Sequence, residues 1–300
     1  MRKQVFDFCK IKLEERIIKL SDGRNLSYGM YGSKKGHPTI CLHGTPASFF
    51  MFETLEDAAN KNGILLICPN RPGIGSSSYK HLKSIKEYTK DIKELSEILG
   101  INKFSVIGVS GGGPFAYACL ANIPHLLVDA NFVSALAPIN KSNIKKMGTP
   151  QKIILKTFDK NKALASFLLL IIFKYGKRFK RLSLRIFCLH SKRTDKDVLK
   201  EEKIRESLLK SSLSAFENGI KGIQLDIELF LSDWDYNIDS NNNVPTNVWH
   251  GLDDPTVPHE MTNYYKTKLP SANKFLMPNS GHHWFYKNMD IVFKKISENL

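Results

Sequence analysis

Residues 103–119 read KFSVIGVSGGGPFAYAC. The first seven are rich in Val, Ile and Phe, which is the composition of a buried strand. From Pro114 the chain becomes apolar and Ala-rich, with a proline where the first turn of a helix tolerates one. Between them, Gly108-Val109-Ser110-Gly111-Gly112 matches G-x-S-x-G, a sharp strand-to-helix turn that lifts a serine hydroxyl above a sheet edge. A serine held in a strained backbone conformation needs neighbours without a Cβ. The helix behind it aims free N–H groups and the positive end of its dipole at the place where a negative oxygen would develop. Five residues alone also fit a glycine-rich turn that binds phosphate, so the rest of the chain has to decide.

Outward from this stretch, strands and helices alternate. Strand patterns fall at 16–20 and 25–31 around the turn signal Asp22-Gly23, then at 38–42, 64–68 and 128–138. Helical periodicity predicts helices over 49–62 and 84–99, the second stopped by Gly100. Strand and helix in turn, joined by short links, predict an α/β fold: a mostly parallel sheet with helices on both faces. The rhythm breaks near Ile139 and resumes at 245–250, followed by a helix over 260–268, a strand over 274–277 and a closing amphipathic helix over 284–299. The expected organisation is therefore a core made of 1–138 and 240–300, with 139–239 inserted as a helical cap over an apolar pocket.

The chain has 300 residues, enough for one large domain with an insertion. Its five cysteines (Cys9, Cys41, Cys68, Cys119 and Cys188) are an odd number, widely spread and without a C-x-x-C pair. That usage fits free thiols in a reducing compartment and argues against a disulfide frame or a zinc site. No secretory signal is recognised at the N-terminus, so a cytoplasmic location is expected. The longest apolar run, 163–173, is interrupted by Ser166 and too short to span a bilayer. The net charge is +15. No nucleic-acid module accompanies it, so a lysine-rich solvated surface is expected and no nucleic-acid partner. Arg178, Lys180, Arg181 and Arg185 follow the apolar run, which leaves room for weak contact between the cap and a membrane surface.

A serine hydroxyl is a poor nucleophile at neutral pH and needs a base within hydrogen-bond reach, itself oriented by an acid. Loops after later strands offer both, in the order Ser, Asp, His. Five motifs then stand in sequence: His43-Gly44-Thr45-Pro46, Asn70 to Ser77, the turn at Ser110, Gly251 to Pro258, and Gly281-His282. In this the chain resembles the α/β-hydrolase-fold serine hydrolases with a helical cap, esterases and proline iminopeptidases among them. The resemblance implies Ser110 as nucleophile, His282 as base and Asp254 as acid, with Asp253 and His283 as the neighbouring alternatives. It also implies an oxyanion hole from the backbone N–H groups of Thr45 and Gly111, since Pro46 has none to give. Asn70 departs from the family's usual Asp, which touches loop packing more than chemistry. His43 and His250 are expected to be structural, and Arg71 to tie loops together without touching substrate. No metal-ligand spacing occurs, and no cofactor is expected. The implied reaction is hydrolysis of a carboxylic ester of a small or acyl-chain substrate, an apolar small molecule, through an acyl-enzyme. An aminopeptidase would instead need an acid in the cap to hold a free amine, for which Asp226, Glu228, Asp233 and Asp235 are available. A ligand-binding protein without turnover is the reading from another class.

Overall fold

Eight strands form one sheet in the order β1-β2-β4-β3-β5-β6-β7-β8. They are β1 (Arg16–Lys19), β2 (Asn25–Gly32), β3 (His37–Leu42), β4 (Ile64–Pro69), β5 (Phe104–Val109), β6 (Leu127–Val133), β7 (Thr246–Gly251) and β8 (Asn273–Met277). The β1–β2 and β2–β4 pairings are antiparallel, and every later pairing is parallel. The source is a computed structural model, which describes residues 15–139, 141–179, 193–234, 238 and 242–300.

Parallel strands covered on both faces need apolar residues at successive positions, and β5 has all six buried. Alternate side chains serve opposite layers. Ile40, Val106, Phe132 and Val248 point to the layer of α2 (Tyr88–Ile98), α3 (Gly113–Asn122) and α10 (Thr262–Lys268). Cys41, Ile107, Val133 and Trp249 point to the layer of α1 (Glu56–Lys61) and α11 (Phe285–Ser297). Cys41, Cys68 and Cys119 are buried free thiols, while Cys9 and Cys188 lie outside the described residues.

The helices predicted over 84–99 and 260–268 open as short 3-10 turns, Ile85–Glu87 and His259–Met261, and two other expected elements differ more. The helix predicted over 49–62 opens as a 3-10 turn, Phe49–Leu55, before α1. Phe49, Phe50, Met51 and Phe52 are all buried, and four consecutive buried residues need cover on more than one side, which a single α-helical face cannot give. The strand predicted to run to 138 stops at Val133. Ser134 takes a positive φ of 46°, and the Leu136 N–H then donates to the Ser110 carbonyl (2.9 Å).

Between β6 and β7 the described residues form helices and no strand. They are α4 (Lys141–Lys146), α5 (Thr149–Lys160), α6 (Lys162–Arg178), α7 (Arg193–Val198), α8 (Glu202–Ala215) and α9 (Lys221–Leu231). These helices lie over the carboxyl ends of the parallel strands, the edge where α/β sheets place their sites. Of the basic residues noted after the apolar run, Lys180, Arg181 and Arg185 lie outside the described residues, as does Asp235.

Candidate active site

The turn after β5 holds Ser110 at φ 54°, a conformation rarely taken by a residue with a side chain. The glycines around it have no alternative. A Cβ on Gly112 would sit 2.0 Å from the Leu42 carbonyl oxygen, and one on Gly108 would sit 2.7 Å from the Ala116 methyl. The close packing lets β5, β3 and α3 meet and leaves the Ser110 hydroxyl at the cavity wall.

The structure brings Ser110, His282 and Asp254 together from three separate loops. Ser110 Oγ lies 3.1 Å from His282 Nε2, and His282 Nδ1 lies 2.7 Å from Asp254 Oδ2. An Nδ1–H donated to Asp254 leaves the Nε2 lone pair to accept from the Ser110 hydroxyl. Asp254 Oδ1 accepts the backbone N–H groups of Thr256 and Val257, both at 2.8 Å. His250 Nε2 stands 2.8 Å from the Val257 carbonyl and 3.4 Å from Asp254 Oδ2, where it braces the acid and lies outside the cavity wall. Burial favours the neutral forms of both Asp254 and His282, but their mutual attraction overrides it. The charges and hydrogen bonds of His282 and His250 hold the Asp254 carboxyl well below its ordinary range. Burial lowers the proton affinity of His282, yet the charge and hydrogen bond of Asp254, together with the charge of Asp195, leave it raised.

The neighbouring alternatives sit elsewhere. Asp253 is half-buried, and its backbone N–H donates to the Ser280 carbonyl (2.9 Å). His283 faces Asp195, with Nδ1 3.2 Å from Oδ1. Sequence reasoning did not pick out Asp195, a buried acid on α7 whose oxygens accept the backbone N–H groups of His282 (3.2 Å) and His283 (2.8 Å). Gly281 is required here, because a Cβ would fall 2.5 Å from the Asp195 carboxyl carbon.

Thr45 and Gly111 flank the serine. A Cβ on Gly44 would lie 3.3 Å from Ser110 Cβ, and one on Gly111 would lie 3.0 Å from Thr45 Oγ1 and 2.9 Å from the Phe230 ring. The Gly44 N–H is committed to Met51 Sδ (3.2 Å). His43 is fully buried, with Nδ1 2.8 Å from the Gly44 carbonyl, and Nε2 accepts the Arg71 N–H at 3.4 Å. Burial and the Arg71 charge depress its proton affinity, so it stays neutral and braces its own loop.

Arg71 ties loops together on a larger scale than expected. Its guanidinium grips Asp226 of α9 through two hydrogen bonds, Nε to Oδ1 (2.8 Å) and Nη2 to Oδ2 (2.7 Å). It also donates to the His43 carbonyl (2.6 Å), the Gly44 carbonyl (2.9 Å) and Thr45 Oγ1 (2.8 Å). Thr45 Oγ1 donates in turn to Asp226 Oδ2 (2.6 Å). Asp226, one of the acids the cap offers to an amine, is therefore not free to hold one: its carboxylate is spent on Arg71 and Thr45. Glu228 pairs instead with Lys162 (3.4 Å), and Asp233 is exposed. Asn70 bridges loops, accepting from the Phe49 N–H (2.9 Å) and donating to Ser27 Oγ (2.9 Å).

Ser110, Thr45 and Gly111 open onto a cavity of about 440 Å³. Its walls are apolar, with Leu155, Leu169, Phe173, Phe216, Ile227 and Phe230 from the inserted helices, and no charged side chain lines it among the described residues. The volume lies within the usual range for small-molecule sites.

Comparison with known proteins agrees with this fold. A family described as the alpha/beta hydrolase fold matches residues 38–288. A non-heme chloroperoxidase of Streptomyces lividans is 28% identical over 148 residues, 49% of this chain and 52% of that protein. A proline iminopeptidase of Lactobacillus helveticus is 34% identical over 89 residues, 27% of this chain and 30% of that protein. The matched stretches thus span about half or less of those relatives' lengths. Among solved structures, an esterase from Rhodococcus sp. ECU1013 superposes with a TM-score of 0.67 at 17% identity, over 95% of this chain and 98% of that one.

Proposed function

The chain belongs to the α/β hydrolase fold family, and from that premise we propose that it is a serine hydrolase acting on carboxylic esters with an apolar acyl group. Ser110 Oγ attacks the ester carbonyl carbon as its proton passes to His282 Nε2, and Asp254 stabilises the imidazolium that forms. The backbone N–H groups of Thr45 and Gly111 receive the developing oxyanion. Collapse of the tetrahedral species expels the alcohol, which takes the proton from His282. A water then attacks the acyl-enzyme, gives its proton to His282 and releases the acid, and Ser110 regains its hydrogen.

The observation that carries this reading is the uncharged apolar cavity opening at the Ser110 hydroxyl, 3.1 Å from His282 Nε2. The same cavity disfavours an aminopeptidase. A free amine would be desolvated there with no carboxylate among the described lining residues to meet it, which costs several kcal/mol or more.

The test is labelling with a fluorophosphonate probe and peptide mass spectrometry, with Ser110→Ala alongside, followed by turnover of acyl esters against a prolyl amide. Label on the Ser110 peptide, absent from the variant, with the esters as the faster substrates, is the expected result. Turnover retained in Ser110→Ala would remove the serine from the mechanism. A folded protein that takes no label and binds acyl esters without turnover would leave a ligand-binding protein instead.

A further inference from the structure

Helix α6, Lys162–Arg178, reads KALASFLLLIIFKYGKR and is apolar on every side. Its inner side is accounted for. Ala165 and Leu169 are buried, Leu169, Ile172 and Phe173 line the cavity, and Phe173 stacks on Phe216 of α8 at 5.3 Å. The outer side is not. Leu164, Phe167, Leu168, Ile171 and Tyr175 recur at helical spacing and are all exposed, Phe167 and Tyr175 to 59%. Leu170 on the flank and Phe179 beyond the end extend the patch. Scattered exposed apolar residues need no partner, but a continuous stripe along one helix does.

Charge identifies the partner. Residues 141–179 contain nine lysines and one arginine against a single acid, Asp159. Exposed Lys160 and Lys162 stand at the start of α6, and exposed Lys174 and Arg178 stand near its end, so cations bracket the stripe. No helix among the described residues is long and apolar enough to cross a membrane. A protein helix whose outward side is apolar and whose ends carry cations can lie in the plane of a bilayer, apolar side chains at the acyl boundary and lysines reaching back to the phosphates.

We infer that the outer side of α6 docks the protein on an anionic lipid bilayer surface. A second copy of the chain fits less well, since two such faces would press like charges together. The inference does not depend on the hydrolase reading, because binding is measured apart from turnover. The two are linked in one respect: the helix that would lie in the lipid also walls the cavity beside Ser110.

The experiment is flotation of the full chain with phosphatidylcholine vesicles, with and without phosphatidylserine, at rising salt. Wild type and Ser110→Ala are expected to float equally with the phosphatidylserine vesicles and to be released as salt screens the surface. The double variant Phe167→Ser/Ile171→Ser touches neither cavity nor core and is expected to keep its thermal midpoint while losing at least about tenfold in vesicle affinity. Failure of the wild type to float on anionic vesicles overturns the inference. So does flotation that the double variant leaves unchanged, which would assign binding to diffuse charge alone. A dimer in light scattering that the double variant splits, without vesicle binding, would assign the face to a second copy.

Discussion

Replacing Asp226 by Asn tests how the site is held. The carboxylate is 3% exposed and faces an Arg71 guanidinium that is 2% exposed. Asparagine keeps the shape and one acceptor oxygen but leaves the guanidinium buried without a counter-charge, its other acceptors being the His43 and Gly44 carbonyls and Thr45 Oγ1. Breaking a buried pair from one side costs about 3–5 kcal/mol. An unfolding entropy of about 2.1 cal/mol/K per residue gives about 0.6 kcal/mol/K for this length, so Tm should fall by about 5–8 °C. Because Thr45 hydrogen-bonds to both Arg71 and Asp226, its backbone N–H should drift from the oxyanion position, and kcat/KM should drop about 10- to 100-fold, mostly in kcat.

The assay is thermal unfolding beside ester hydrolysis. The double variant Arg71→Met/Asp226→Leu separates the two effects. It removes both charges, so it should recover part of the lost Tm, the buried carbonyls left without donors withholding the rest. It also deletes the donors to the His43 and Gly44 carbonyls, so kcat/KM should stay low. An Asp226→Asn protein within about 2 °C of wild type and equally active would refute the argument that this pair supports the loop.

Asp195→Asn should shift the acid limb of the kcat/KM profile to lower pH. The Asp195 charge helps raise the proton affinity of His282, and a weaker base stays neutral, and therefore active, in more acidic solution; an unmoved limb would leave Asp195 a merely structural contact. Asp129, in β6 and away from the site, has its carboxyl pushed up to about 6 by burial, despite hydrogen bonds from Asn299, Ser105 and Asn131. Its folded pKa exceeds the unfolded one, so the associated stability is full below the unfolded value and is lost as pH rises through about 6, by about 3 kcal/mol in all. Urea midpoints measured from pH 4 to 8 should therefore flatten in Asp129→Asn, and parallel curves for the two proteins would refute the assignment.

What could be read from the sequence was local. Glycine, proline and serine spacing marks the turns at Ser110, Thr45, Asp254 and His282, because each turn's geometry admits few residues. The contacts behind those turns were not local. Thr45 and Asp226 lie 181 positions apart, and His282 and Asp195 lie 87 apart. Asp226 did leave a trace: in GIQLDIELF it is an acid among buried apolar neighbours, and such an acid needs a partner. Arg71, alone among turn-formers, was the cation to seek. Asp195 left none, since KRTDKD reads as a solvated charged stretch and only the fold makes it a buried acceptor. The run to 138 misled because apolar composition records burial, and residues 135–137 remain buried after the strand has ended.

These long-range bonds bear on what the inserted helices do. Asp195 of α7 holds the backbone that carries His282, and Asp226 of α9 holds the loop that carries Thr45. Ser211 of α8 accepts the Ser48 N–H (2.8 Å) and donates to its carbonyl (3.1 Å), and Ser207 donates to the Phe50 carbonyl (2.8 Å). Four buried side chains thus fasten α7, α8 and α9 to loops of the core. Swinging the whole segment away would break all of these bonds at once and leave buried charges without partners. By contrast, the polar ties of α6 among the described residues include Lys162–Glu228 and Ser166–Gln224, neither of them buried. Helices α7, α8 and α9 therefore stand to the site as fixed support, whereas α6 meets the cavity through apolar packing, with Leu169 and Phe173 on its inner side, and not through buried polar bonds of that kind.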